Sequence, residues 1–96
     1  GFEATVNALQ SEYYVAVQLY QDAGRRMKLY QNQADLARKS LNILMKSFSA
    51  SGSGLTDLLL IRQQLLNYET RQTEAITDHN TAVAWLKRLM AHSQIQ

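Results

Sequence analysis

Apolar residues in the first half of the chain recur at alternating intervals of three and four positions. The stripe continues without a missed position through Val6, Leu9, Tyr13, Ala16, Tyr20, Ala23, Met27, Tyr30, Ala34, Ala37, Leu41, Leu44 and Phe48. A heptad pattern sustained over about six repeats is typical of long helices that pack side by side. We therefore predict a first helix over about residues 2–48.

The second half of the chain repeats this pattern. Its stripe consists of Leu58, Ile61, Leu65, Tyr68, Gln72, Ala75, His79, Ala82, Leu86 and Leu89. Only Gln72 and His79 are polar, and a single histidine in an apolar stripe is more often a packed residue than a catalyst. The pattern predicts a second helix over about residues 55–92.

A short segment rich in Ser and Gly separates the two patterns, at about residues 49–54. Gly52 can adopt the left-handed conformation that ends a helix, and Ser53 or Thr56 can cap the next one. Asp57 in the first turn favours the positive end of that helix. The predicted fold is all-α: an antiparallel two-helix coiled-coil hairpin, with residues 1–96 as one domain.

Folding the chain about the turn places large side chains opposite small ones, as dense packing requires. Ala34 is predicted opposite Tyr68, and Tyr20 opposite Ala82. This complementarity supports an antiparallel register.

Each predicted helix carries further apolar residues beside its main stripe. They are Val15, Leu29, Leu36 and Ile43 in the first helix, and Leu55, Leu59, Leu66, Ile76, Val83 and Met90 in the second. One partner helix cannot cover both stripes, and exposed apolar stripes usually mark another binding partner. Trp85 lies off the main stripe, where it is either an outer contact or a half-buried surface aromatic.

Composition excludes several classes of function. A net charge of +2 with scattered basic residues argues against nucleic-acid binding. The absence of cysteine excludes disulfides and thiolate metal sites. No segment reaches the ~20 apolar residues of a membrane-spanning helix. We predict no catalytic, cofactor-binding or metal-binding residues, and we do not expect an enzyme.

The turn and the segments after it contain a characteristic succession of residues. It comprises Phe48, Ser51-Gly52, Leu55, Asp57, Leu58-Leu59 and Gln64-Leu65-Leu66, followed by Asp78-His79-Asn80 and the spaced Ala82, Ala84 and Leu86. This succession resembles the outer-membrane efflux protein family, the TolC-like exit ducts, and the resemblance extends over most of the chain. The chain departs from the family pattern at Ser51 in place of a turn glycine, Leu60 in place of an acidic residue and His79 in place of tyrosine.

The resemblance implies a location and a set of partners. Helices of this family form a trimeric periplasmic tunnel in the Gram-negative cell envelope, as part of a larger protein inserted in the outer membrane. The hairpin would then be a fragment of that protein, in contact with neighbouring protomers. Its tip would dock a periplasmic adaptor, which links the duct to an inner-membrane pump. No cofactor is implied.

The tip predicted to bind the adaptor comprises Phe48, Ala50, Ser51, Gly52, Gly54, Leu55, Thr56 and Asp57. Small residues allow close approach of a partner backbone, Leu55 offers an apolar anchor, and Asp57 can narrow or charge the duct mouth. The alternative for each position is that small residues simply permit a tight turn. The alternative for the whole chain is a soluble coiled-coil scaffold or adaptor hairpin that mediates protein–protein interaction.

Overall fold

The computed structural model describes residues 1–95, and the side chains of residues 1–93. It contains two helices, α1 (Phe2–Ser51) and α2 (Leu55–Ile95), and no strand among the residues described. Together they form an all-α helical hairpin, which confirms the predicted fold class. Neither helix includes, within the described range, an apolar stretch suited to crossing a membrane.

The helix bounds differ from the predicted ones at the turn and at the C-terminal side. α1 continues through Ser49, Ala50 and Ser51 instead of ending near Phe48, and α2 continues to Ile95 instead of about residue 92. The Ser51 hydroxyl donates to the Ser47 carbonyl at 2.9 Å, a bond that Ser side chains form within helices. The helix therefore ends only where a glycine allows another conformation.

The chain divides into two compact units. The terminal unit comprises Gly1–Arg25 and Ala75–Gln96, and the turn unit comprises Arg26–Glu74. Each unit pairs one segment of α1 with one segment of α2, and in each the main apolar stripes provide the core, which we call the seam.

In the turn unit, Ala34, Ala37 and Leu65 are buried, with Leu41, Ile61 and Tyr68 packed against them. This cluster brings together the residues that the antiparallel register predicts, small on α1 against larger on α2. Every seam residue of α2 in this unit is at least half-buried.

In the terminal unit, the buried side chains within residues 1–93 are all alanines: Ala16, Ala23, Ala75 and Ala82, each 0% exposed. Two tyrosines predicted for the core are largely exposed instead, Tyr13 at 50% and Tyr20 at 41%. Their rings are too large for a seam lined by alanine, so they extend to its edges. Tyr20 contacts His79, one turn before the predicted partner Ala82, with 4.8 Å between ring centroids.

Candidate functional site

The turn between the helices depends on two glycines with positive φ. Gly52 has φ of 70°, and its N–H donates to the Phe48 carbonyl at 2.7 Å. A left-handed residue whose N–H bonds to the carbonyl four residues earlier is the αL termination of a helix. The prediction that Gly52 ends the first helix is confirmed.

Gly54 immediately precedes the first residue of α2, Leu55. Its φ is 88°, and its carbonyl accepts the first helical bond from the Leu58 N–H at 3.0 Å. Gly54 is therefore the N-cap residue, and the prediction of Ser53 or Thr56 as the cap is wrong. Ser53 precedes the cap, and Thr56 lies within the first turn. Asp57 also lies in that turn, where its charge favours the positive helix end.

Serine side chains hold the turn together. The Ser51 hydroxyl lies 2.8 Å from the Ser53 hydroxyl and accepts a bond from the Ser53 backbone N–H at 3.3 Å. The Ser51 hydroxyl thus supplies a hydrogen-bond acceptor for the N–H of Ser53, which lies between the helices. Serine at these two positions thus has a local structural role.

The eight residues of the predicted tip all belong to the turn unit. Phe48 is half-buried, and the other seven are exposed, with Leu55 at 50%. The positive φ explains why both tip positions hold glycine. A Cβ at either position would meet no atom within 4 Å, so the backbone conformation alone disfavours other residues there. Ala50 and Thr56 are exposed within helices, so their side chains are available to a partner.

The additional apolar residues of the turn unit remain uncovered, as predicted. We call Leu29, Leu36 and Ile43 the α1 outer stripe; they are 49%, 60% and 69% exposed. We call Leu55, Leu59 and Leu66 the α2 outer stripe, and they are 50–54% exposed. Met45 and Leu60 are also exposed apolar residues, which the heptad reading did not single out.

The two outer stripes lie on opposite sides of the helix pair. On one side, Leu36 lines a groove with Gln33, Ser40 and Gln64. On the other side, next to Leu66 on the helix surface, a salt bridge joins the α1 and α2 segments. The Arg38 guanidinium lies 3.6 Å from the Glu69 carboxylate and 2.9 Å from that of Asp35. The turn unit can therefore contact a neighbour on each side.

The turn unit has a second contact between its α1 and α2 segments, and neither this contact nor the Arg38–Glu69 salt bridge was predicted from the sequence. The Arg71 guanidinium lies over the Tyr30 ring, 5.9 Å from its centroid, within the range of cation–π attraction. Both residues line a shallow polar groove with Arg26, Asn67 and Glu74. Spacing along a single helix carries no signal for this contact, because it depends on which α2 residue lies opposite Tyr30.

The terminal unit contains one further residue singled out from the sequence, Trp85. Trp85 is half-buried and lines a groove with Leu9, Arg88 and His92. Its burial agrees with the predicted alternative of a half-buried surface aromatic. Within the described residues, no group of three or more His, Asp and Glu side chains lies close enough to hold a metal ion.

Comparisons with models of protein families, with curated proteins and with solved structures found no match to this chain. Only the residues and surfaces described above therefore bear on its function.

Proposed function

We propose that this chain is the periplasmic hairpin of a TolC-like outer-membrane efflux duct. It contributes to the tunnel wall through its sides and docks a periplasmic adaptor through its tip. The observation that supports this proposal best is the arrangement of the turn unit: an exposed turn, flanked by the two aliphatic outer stripes on opposite sides of one helix pair. The residue succession around the turn supports it as well.

Each surface has a role in this proposal. A helix pair within a tunnel wall contacts a neighbour on either side, and the two outer stripes supply the apolar area for those contacts. In a trimeric duct the neighbours are further helices of the same protein. The tip meets the adaptor hairpin, which couples the duct to an inner-membrane pump.

The tip residues divide into those that form the turn and those that meet the adaptor. Gly52 and Gly54 maintain the positive φ of the turn, and the hydroxyls of Ser51 and Ser53 stabilise it. The exposed side chains of Ala50, Leu55 and Thr56 contact the adaptor, with Leu55 as the apolar anchor. Phe48 supports the turn from its half-buried position, and Asp57 places a negative charge at the duct mouth.

Bulky substitutions at helical tip positions test this proposal in the complete parent protein. Ala50→Trp and Thr56→Trp preserve the turn backbone, whereas a substitution at Gly52 would strain it. Cells carrying either variant should accumulate a fluorescent pump substrate as much as cells without the duct. The matched control is Ser11→Trp, an exposed α1 position in the terminal unit, which should leave export unchanged.

Protein levels in the outer-membrane fraction must be measured alongside export. Normal export by both tip variants at normal protein levels would refute the docking role. Recovery of the parent protein in the soluble fraction would instead favour the coiled-coil scaffold.

A further inference from the structure

We infer that the α1 outer stripe binds an amphipathic α-helix that carries acidic residues beside its apolar face. The efflux-duct proposal places a neighbouring helix on this stripe, and the inference specifies the charge of that helix. It is argued from the stripe alone, so the two can fail separately. It depends on the exposure, spacing and electrostatic surroundings of Leu29, Leu36 and Ile43.

The spacing of the stripe suits a helical partner. Its three residues recur at intervals of seven, so they form one row along α1. All three are about half exposed or more, and Leu36 lines a groove between the paired helix segments. Apolar residues two helical turns apart beside a groove are separate anchor points for the apolar face of an amphipathic helix.

The charges beside the stripe determine which helix fits. On a helix surface, the neighbours of a residue lie three and four positions away. For Leu36 and Ile43 these positions hold Lys39 and Lys46, and otherwise only Asn, Gln and Ser. Both lysines are exposed, and neither forms a salt bridge among the described residues. Acidic residues on the partner would therefore meet uncompensated positive charge.

The same lysines argue against a second copy bound through this stripe. A symmetric antiparallel pairing of two α1 outer stripes would bring like edges together. Lys39 and Lys46 would then face the same two lysines of the other copy, and like charges across an interface oppose binding.

The α2 outer stripe differs in this respect and provides a matched control. The charged neighbours of Leu66 are Arg62 and Glu69, one of each sign, and Glu69 already pairs with Arg38. This surface is apolar without a net positive edge, so it should not select an acidic partner.

Two synthetic helical peptides test the inference directly. Both carry leucines at seven-residue intervals; one has glutamates beside them and the other has glutamines. Fluorescence anisotropy with the 96-residue chain should show the glutamate peptide binding about three- to tenfold more tightly at low salt. The preference should shrink at high salt, because exposed charges are screened.

Variants of the chain then locate the binding surface. Leu36→Gln should weaken binding of the glutamate peptide about tenfold, whereas Leu66→Gln should leave it unchanged. The double variant K39Q/K46Q should abolish the preference for glutamate. All of these positions are exposed, and circular dichroism verifies that each variant keeps its helices.

Several outcomes would overturn the inference. They are equal binding of the two peptides, absence of binding, or equal weakening by Leu36→Gln and Leu66→Gln. Lysine-dependent binding to anionic vesicles without any to the glutamate peptide would assign the stripe to a membrane surface. A dimer in sedimentation that Leu36→Gln dissociates would assign it to a second copy.

Discussion

The terminal unit and the turn unit pair segments of the same two helices, yet they bury different side chains. The terminal unit has a seam of four fully buried alanines, Ala16, Ala23, Ala75 and Ala82. The turn unit buries two alanines of α1 and the larger Leu65 of α2. Alanines on both helices favour close backbone approach, whereas the turn unit uses a small-to-large fit.

The exposed apolar residues of the two units differ even more. Among the side chains that the structure describes, four of the seven in the terminal unit are aromatic, whereas all eight in the turn unit are Leu, Ile or Met. The turn unit also contains seven Lys and Arg against four Asp and Glu, while the terminal unit contains three against four. Exposed aliphatic residues and an excess of positive charge thus predominate in the turn unit, which is where we expect partners to bind.

The largest effect on stability is expected at Leu65, the one large side chain among the buried residues that the structure describes. Leu65→Ala should lower the free energy of unfolding by about 2–5 kcal/mol, because it leaves a cavity in the seam of the turn unit. Leu66→Ala, the same change at a residue that is 50% exposed, should cost much less. Urea denaturation of both variants measures the difference, and similar losses would contradict the assigned seam.

Overpacking should damage the terminal unit. Ala82→Phe inserts a ring at a fully buried position and should cost about 1–3 kcal/mol, because the alanine seam has no space for it. Ala84→Phe, at an exposed position two residues later, is the control. Thermal melting should distinguish the two variants, and an unchanged midpoint for Ala82→Phe would show that the seam is loosely packed.

The turn should be sensitive to backbone conformation alone. Gly52→Ala introduces no steric clash, since no atom lies within 4 Å of the new Cβ. It nevertheless should destabilise the chain by about 1–2 kcal/mol, because alanine disfavours a φ of 70°. Chemical denaturation measures this loss. Gly52→Asn should recover part of the stability, and no recovery would point to a cause other than φ.

The smallest effect is expected at Gly24, and it has the opposite sign. Gly24 lies within α1, and a Cβ there would also meet no atom within 4 Å. Gly24→Ala should raise the free energy of unfolding by about 0.4–1 kcal/mol, because alanine restricts the unfolded chain and favours the helix. A lower melting temperature would reveal a close contact at this glycine.

Heptad spacing was sufficient to predict two helices, most of their seam and the uncovered outer stripes of the turn unit, because burial in paired helices follows the sequence period. It misplaced Tyr13 and Tyr20, since the pattern treats every apolar residue alike and ignores the narrow space between alanines. It also misidentified the N-cap, because Gly54 caps α2 through its backbone and carries no side-chain signal. The Arg71–Tyr30 contact depends on the pairing of two distant segments, which no local pattern specifies.

Crosslinking in living cells tests most directly our proposal that the exposed tip binds a periplasmic adaptor. A photoreactive amino acid replaces Thr56 in the complete parent protein, and mass spectrometry identifies the adduct. We expect a covalent adduct with an adaptor hairpin, and none when the same amino acid replaces Ser11. Absence of the adaptor from the Thr56 adducts, with normal amounts of the protein in the cell envelope, would contradict the account.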